Sequence, residues 1–233
     1  LRTFYVTTFK DNPYLQKTVL TGVSRVAKES IFSGANNFKV YTVLDDEFAD
    51  DFGITSEEVD TALKDFGLEE YKADVKKWYD GYRIGNVEGL YNPWSLLNYL
   101  TDKKLVPYWV NTSSNDLIKL ILKNSLTVKE KMERLLKGEA IEVPINLETI
   151  IVGIENNEDN IWGLMLGTGY LKVVEHVDSK KYKVKLPNYE IKTLFEDIID
   201  NWFRNKVVNN DLESILQDLV NLNLHEFELK FRV

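Results

Sequence analysis

The chain reads as a helix-dominated α/β protein. Capping boxes open amphipathic runs between residues 55 and 138. Two alternating runs, Tyr170–Glu175 and Lys181–Leu186, flank a polar turn at Asp178-Ser179, as the strands of a hairpin do. Near the start, "KTVLTGVSR" (17–25) takes a short β-favouring run into Gly22 and the polar Ser24-Arg25. A buried α/β strand that delivers polar groups to a ligand at its carboxyl end has that pattern.

In order, residues 1–9 read as the tail of a helix with Phe4 and Tyr5 on its apolar side, stopped by Asp11-Asn12-Pro13. Thr18–Thr21 is predicted as a strand, and Lys39–Leu44 (KVYTVL) as a second. Thr55-x-x-Glu58 caps a helix carrying Val59, Ala62, Leu63 and Phe66, with Gly67 as its stop. Tyr71, Val75, Trp78 and Tyr79 form the next stripe, and Asn92-Pro93 opens a helix that buries Leu96, Leu97 and Leu100. Ser113-x-x-Asp116 and Thr127-x-x-Glu130 cap two more, the second stopped by Gly138. Ile161, Leu164 and Met165 mark a short helix before the hairpin. Pro187-Asn188 starts a long helix with Ile191, Leu194, Phe195, Ile198 and Trp202 on one face, and Leu212, Ile215, Leu216 and Leu219 line another. A helix, a twisted hairpin and a further helix is the layout of a winged-helix-like module.

Composition narrows the chemistry. The 233 residues carry a net charge of −8 and no cysteine, so disulfides, thiolate nucleophiles and thiolate metal sites are excluded. His176 and His225 are the only histidines and form no zinc pattern, so no metal site is expected. No apolar run spans a bilayer, so no membrane partner is expected, and the composition fits the cytoplasm. No glycine is followed by lysine, so there is no Walker A loop to cradle phosphates.

The candidate sites each have a structural reading beside the functional one. Thr21 and Arg25 follow the predicted strand, where a polar group can sense a terminal phosphate. In "WYDGYRIG" (78–85), Trp78, Tyr79 and Tyr82 crowd the Asp80-Gly81 turn. Asp80 could cap backbone N–H groups or do acid–base work, and the aromatics could stack on a sugar or base. A helix end pinned by aromatics explains the same residues. "NPWSLLNYL" (92–100), with Asn92, Pro93 and Trp94, and "PYWVNTSSND" (107–116) could line a carbohydrate or peptide groove, or be two caps with core aromatics. "ENNED" (155–159) lacks the ligand spacing of a calcium loop.

The succession "FKDNPYLQKTVLTGVSRVAKESIFSGANNFKVYTV", "FGITSEEV", "VKKWYDGYRIG", "YNPWSLLNYL", "PYWVNTSSNDLI", "NEDNIWGLMLGTGYLKVV" and "LPNYEIKTLFEDII" resembles the bacterial AAA-ATPase-like family. Its members commonly carry a C-terminal PD-(D/E)xK nuclease-like domain. The resemblance implies the middle of such a protein, with the P-loop and Walker B strand upstream of Leu1. Residues 1–50 would be a remnant of the P-loop ATPase sheet holding the sensor strand. Residues 51–145 would be a helical lid region, 146–206 the winged-helix-like module with its β-hairpin, and 207–233 the start of, or linker to, the nuclease-like domain. Thr21 then takes the sensor position and Ser24-Arg25 lead into the next element. ATP and magnesium are expected for the parent and no cofactor for this chain, which lacks catalytic residues of its own. Its partners would be the parent's ATPase segment and nuclease-like domain.

A winged helix also suggests DNA, and Lys181, Lys183 and Lys185 of the hairpin are candidates for the contact. The preceding helix instead offers Glu155, Glu158 and Asp159, which repel phosphates. Intramolecular docking of the hairpin is therefore the favoured expectation. A stand-alone binding module for carbohydrate or peptide is the alternative, and burial of Trp78, Trp94 and Trp109 discriminates against it.

Overall fold

The computed structural model describes residues 7–10, 12–22, 38–109, 126–147, 158–208 and 211–231. They are mixed α/β, with helices predominating and two small antiparallel sheets. The chain falls into two units, Leu1–Lys192 and Thr193–Val233.

In the first unit, α1 (Ser56–Asp65) begins at the predicted capping box: the Thr55 hydroxyl accepts from the Glu58 N–H, and the Thr55 N–H donates to the Glu58 carboxylate at 2.9 Å. A 3-10 turn, Glu69–Tyr71, leads into α2 (Lys72–Tyr79). In α3 (Pro93–Asp102) the Asn92 side chain accepts from the Trp94 and Ser95 N–H groups, with Pro93 in the first turn where no N–H is needed. Val59, Leu63, Leu68, Val75, Tyr79, Leu96, Tyr99 and Leu100 form one buried cluster from these helices.

Between α2 and α3 lies a hairpin that periodicity did not reveal, β1 (Tyr82–Ile84) and β2 (Val87–Leu90). Its strands are too short for alternation to register, and Gly85, at φ +52, forms the turn. The Gly85 N–H donates to the Val43 carbonyl, so the tip rests on the 42–46 segment.

α4 (Leu126–Leu136) starts just ahead of the predicted cap Thr127 and buries Val128, Met132 and Leu135. β3 (Ile141–Pro144) pairs antiparallel with β5 (Lys181–Lys185), which pairs with β4 (Lys172–His176), in the order β3-β5-β4. The predicted hairpin is therefore present, and β3 is an addition. Ile141 and Val143 alternate inward, but the run is four residues long and ends in Pro144. α5 (Glu158–Gly167) packs on β3. Gly163 makes that approach: a Cβ there would stand 1.9 Å from the Asn146 carbonyl oxygen.

α6 (Tyr189–Val208) begins with Asn188 Oδ1 accepting from the Ile191 N–H, and continues into the second unit. In that unit α7 (Asp211–Val220) and α8 (Leu224–Phe231) pack on each other around a turn in which Leu222 has φ +59.

Several expectations are corrected. Phe66, Tyr71 and Leu97, assigned by spacing to buried helix faces, are exposed, Phe66 because it falls on the C-cap of α1, and so are Leu216 and Leu219 of α7. Neither Thr18–Thr21 nor Lys39–Leu44 is a strand. Val19 and Leu20 are exposed, and no described residue pairs with them, so their backbone groups gain no ladder. In the second stretch the Asp45 carboxylate accepts from both the N–H and hydroxyl of Thr42, each at 2.7 Å. That local bond holds a turn in place of an extended backbone. Residues 7–9 are helical, as the predicted helix tail requires. The helix predicted at 113–121 lies outside the described residues.

Candidate functional site

The aromatic motifs converge on a residue that sequence reading passed over, Glu190. It sits in the first turn of α6 with no exposed surface. The Ser95 hydroxyl, itself buried on α3, lies 3.0 and 2.8 Å from its two oxygens. The Trp109 N–H donates to Oε1 at 2.8 Å. "NPWSLLNYL", "PYWVN" and "LPNYEIK" are thus joined through one carboxylate. Burial raises the Glu190 pKa; the Trp109 N–H, the Ser95 hydroxyl and the Tyr108 N–H oppose that shift.

"WYDGYRIG" borders the same cluster. Tyr79 is fully buried, its hydroxyl donating to the Val106 carbonyl at 2.9 Å and accepting from the Val106 N–H at 3.2 Å. Gly81 has φ +110, and a Cβ on it would lie 2.1 Å from the Pro187 carbonyl oxygen. Only glycine lets this turn meet the chain entering α6. The Tyr82 hydroxyl is buried near Asn92, Asn188 and Glu190, and burial drives its pKa far upward. Among the described residues, the buried Tyr82 Oη and Asn188 Nδ2 have no hydrogen-bond partner. Asp80 stays with its own turn: it accepts from the Gly81 N–H and lies 3.9 Å from Lys76. Burial raises its pKa, against the Gly81 N–H and the Lys76 and Lys172 charges.

The tryptophans divide. Trp78 packs edge-on to Tyr189 with ring centres 4.9 Å apart, and Trp109 lies 5.2 Å from Tyr170. Trp94 is 54% exposed beside exposed Leu97 on the outer side of α3, and Pro93 only starts that helix. Trp78 and Trp109 are part of the packing, whereas Trp94 is not.

Thr21 is exposed in an irregular segment, and Ser24 and Arg25 lie outside the described residues. On the hairpin, Lys181 pairs with Glu142 at 3.3 Å and Lys183 with Glu175 at 2.7 Å, whereas Lys185 borders a groove beside α6. Among the described residues no group of three or more His, Asp or Glu side chains is placed to hold a metal ion, and no helix is long and apolar enough to cross a membrane.

The Glu190 signal was faint because a lone Glu in a helix's first turn ordinarily complements the helix dipole in solvent. Only the aromatic residues around "PNYE" hinted at burial.

The fold and cluster define a chain in which α3, the 107–109 segment and the first turn of α6 meet on one buried carboxylate. The chain is similar to an uncharacterized protein in the vnfD 5' region of Azotobacter chroococcum mcd 1, with 26% identity over 204 residues, 85% of this chain and 37% of that protein. It therefore spans little more than a third of that relative's length. No protein-family model and no solved structure matches the chain.

Proposed function

We propose that this chain is the sensor-to-lid and winged-helix-like portion of a bacterial AAA-ATPase-like protein. It would relay nucleotide state to an attached nuclease-like domain and do no chemistry of its own. The observation that carries this reading is the Glu190 cluster, which ties α3, the 107–109 segment and the start of α6 together where the chain leaves the hairpin. A relay must move as a body, and packed elements with two discrete arrangements transmit displacement where a loose linker does not. The strand order β3-β5-β4, with α5 ahead of the hairpin, agrees with a winged-helix-like module. The paired lysines on the hairpin suit docking against protein. The length of the Azotobacter relative agrees with further segments in such proteins.

Calorimetric titration with ATP and magnesium tests the reading. This chain should show no micromolar binding. A longer protein carrying a P-loop ahead of it should bind, and Thr21→Ala should slow hydrolysis there more than it weakens binding. Micromolar binding to this chain alone, or none to the longer protein, would overturn it.

Trp94 exposed beside Leu97 favours a second reading, a peptide- or carbohydrate-binding module. Quenching of tryptophan fluorescence by a peptide or glycan, lost in Trp94→Ala, would support that reading.

A further inference from the structure

Lys77, Lys137, Lys185 and Lys192 come from four different parts of the first unit and border one open groove of about 280 Å³. Lys77 lies in the last turn of α2, Lys137 directly follows α4, Lys185 ends β5, and Lys192 is in the first turns of α6. Asn188, Tyr189 and leucines complete the lining, which contains no Asp or Glu. This is notable in a chain with 37 acidic against 29 basic residues. Outside the lining, Glu133 holds Lys137 at 2.7 Å on the surface of α4. Exposed pairs of this kind are weak, and a phosphate can compete for the lysine.

The groove gathers lysines with no carboxylate or imidazole beside them, an arrangement that suits holding an anion. Its openness does not enclose a small ligand, which pockets usually do by burying most of its surface. Tyr189 is already covered, with Lys77 4.7 Å from its ring centre and Trp78 against its edge. The ring is therefore not free to stack on a base. What is left is a row of cations over an apolar floor, which suits a chain of phosphates read without regard to sequence.

We propose that this groove contacts the phosphodiester backbone of nucleic acid, and that the outer face of the hairpin does not. Lys181 and Lys183 share the sheet surface with Glu142 and Glu175, one carboxylate for each lysine, and these repel a phosphate, whereas the groove lining holds four lysines and no carboxylate. The inference is independent of the nucleotide-relay reading, and either can fail alone.

Anisotropy titration of the 233-residue chain with a labelled duplex of mixed sequence tests it. Sequence-independent binding should appear at low salt. Up to four phosphates neutralised give a slope of log K against log salt of about −3 to −4, or a loss of roughly 100-fold between 50 and 200 mM. Lys185→Gln with Lys192→Gln should weaken binding and flatten the slope by about 2, with unfolding midpoints confirming that the fold persists. Lys181→Gln with Lys183→Gln should change affinity by less than about twofold, as removal of lysines outside the contact leaves the phosphate count unchanged. A larger loss in the hairpin pair, no binding at low salt, or tighter binding of pyrophosphate or an acidic peptide than of the duplex would overturn the proposal.

Discussion

Replacing Glu190 with alanine removes the acceptor of the buried Ser95 hydroxyl and the half-buried Trp109 N–H, with the Tyr108 N–H also close by. Each donor left without a partner costs about 1–3 kcal/mol, so the two together suggest roughly 2–6 kcal/mol. Relief from burying a carboxylate acts in the opposite direction, because burial already disfavours its charge. The net expectation is a loss of about 2–4 kcal/mol. Glu190→Gln keeps the volume and one acceptor oxygen, and should cost about 1–2 kcal/mol. Urea unfolding followed by tryptophan fluorescence reads both, since Trp109 is itself a donor in the cluster. Ser95→Ala combined with Glu190→Gln should cost less than the sum of the two single changes, because they share one bond. If Glu190→Ala stays within about 0.5 kcal/mol of the parent chain, the size of an ordinary surface change, the carboxylate does not hold these elements together.

Glu190 binds its proton more tightly in the folded than in the unfolded chain, so its contribution is fully present below the ordinary carboxyl range near about 4.3. That contribution is lost as pH rises through its raised folded value, and a series of urea midpoints from pH 4 upward should fall less steeply in Glu190→Gln than in the parent. Gly81→Ala should destabilise by about 2–4 kcal/mol from backbone strain and overlap with Pro187, whereas Gly67→Ala, at φ +64 in open space, should cost only about 1–2 kcal/mol; equal midpoints for the two would remove the contact from the explanation. Asn92→Ala deletes the acceptor for the Trp94 and Ser95 N–H groups and should cost about 1 kcal/mol in thermal or urea unfolding, with Asn92→Asp close to neutral.

The helices were legible because their signals are local. Thr55-x-x-Glu58 and Asn92-Pro93 specify their own ends, and spacing names most of the residues that α1, α2 and α3 bury, though it also named Phe66, Tyr71 and Leu97, which are exposed. The hairpin of β4 and β5 was legible because two runs of alternation surround a turn. What escaped was set by distant partners. β3 is a strand because β5 lies beside it, and β1 and β2 are too short to carry a period. Thr18–Thr21 carries the composition of a strand, but propensity does not pair a backbone without a neighbour. Among the candidate residues, Trp78, Tyr79, Gly81 and Tyr82 do gather in space, yet the stretch they adjoin, Pro187 to Glu190, lies about a hundred positions further along the chain, a separation no local pattern reports. The hairpin lysines show the same limit, because Glu142, which pairs with Lys181, sits on the strand that went unseen.

Hydrogen exchange on a longer protein containing this chain, with and without ATP and magnesium, bears on the relay itself. Nucleotide should change protection at 93–109 and at 172–192 together, and Glu190→Gln should confine the change to the first of these stretches. If the two stretches respond independently in the unaltered protein, or if neither responds while nucleotide is bound, the buried carboxylate does not carry the signal.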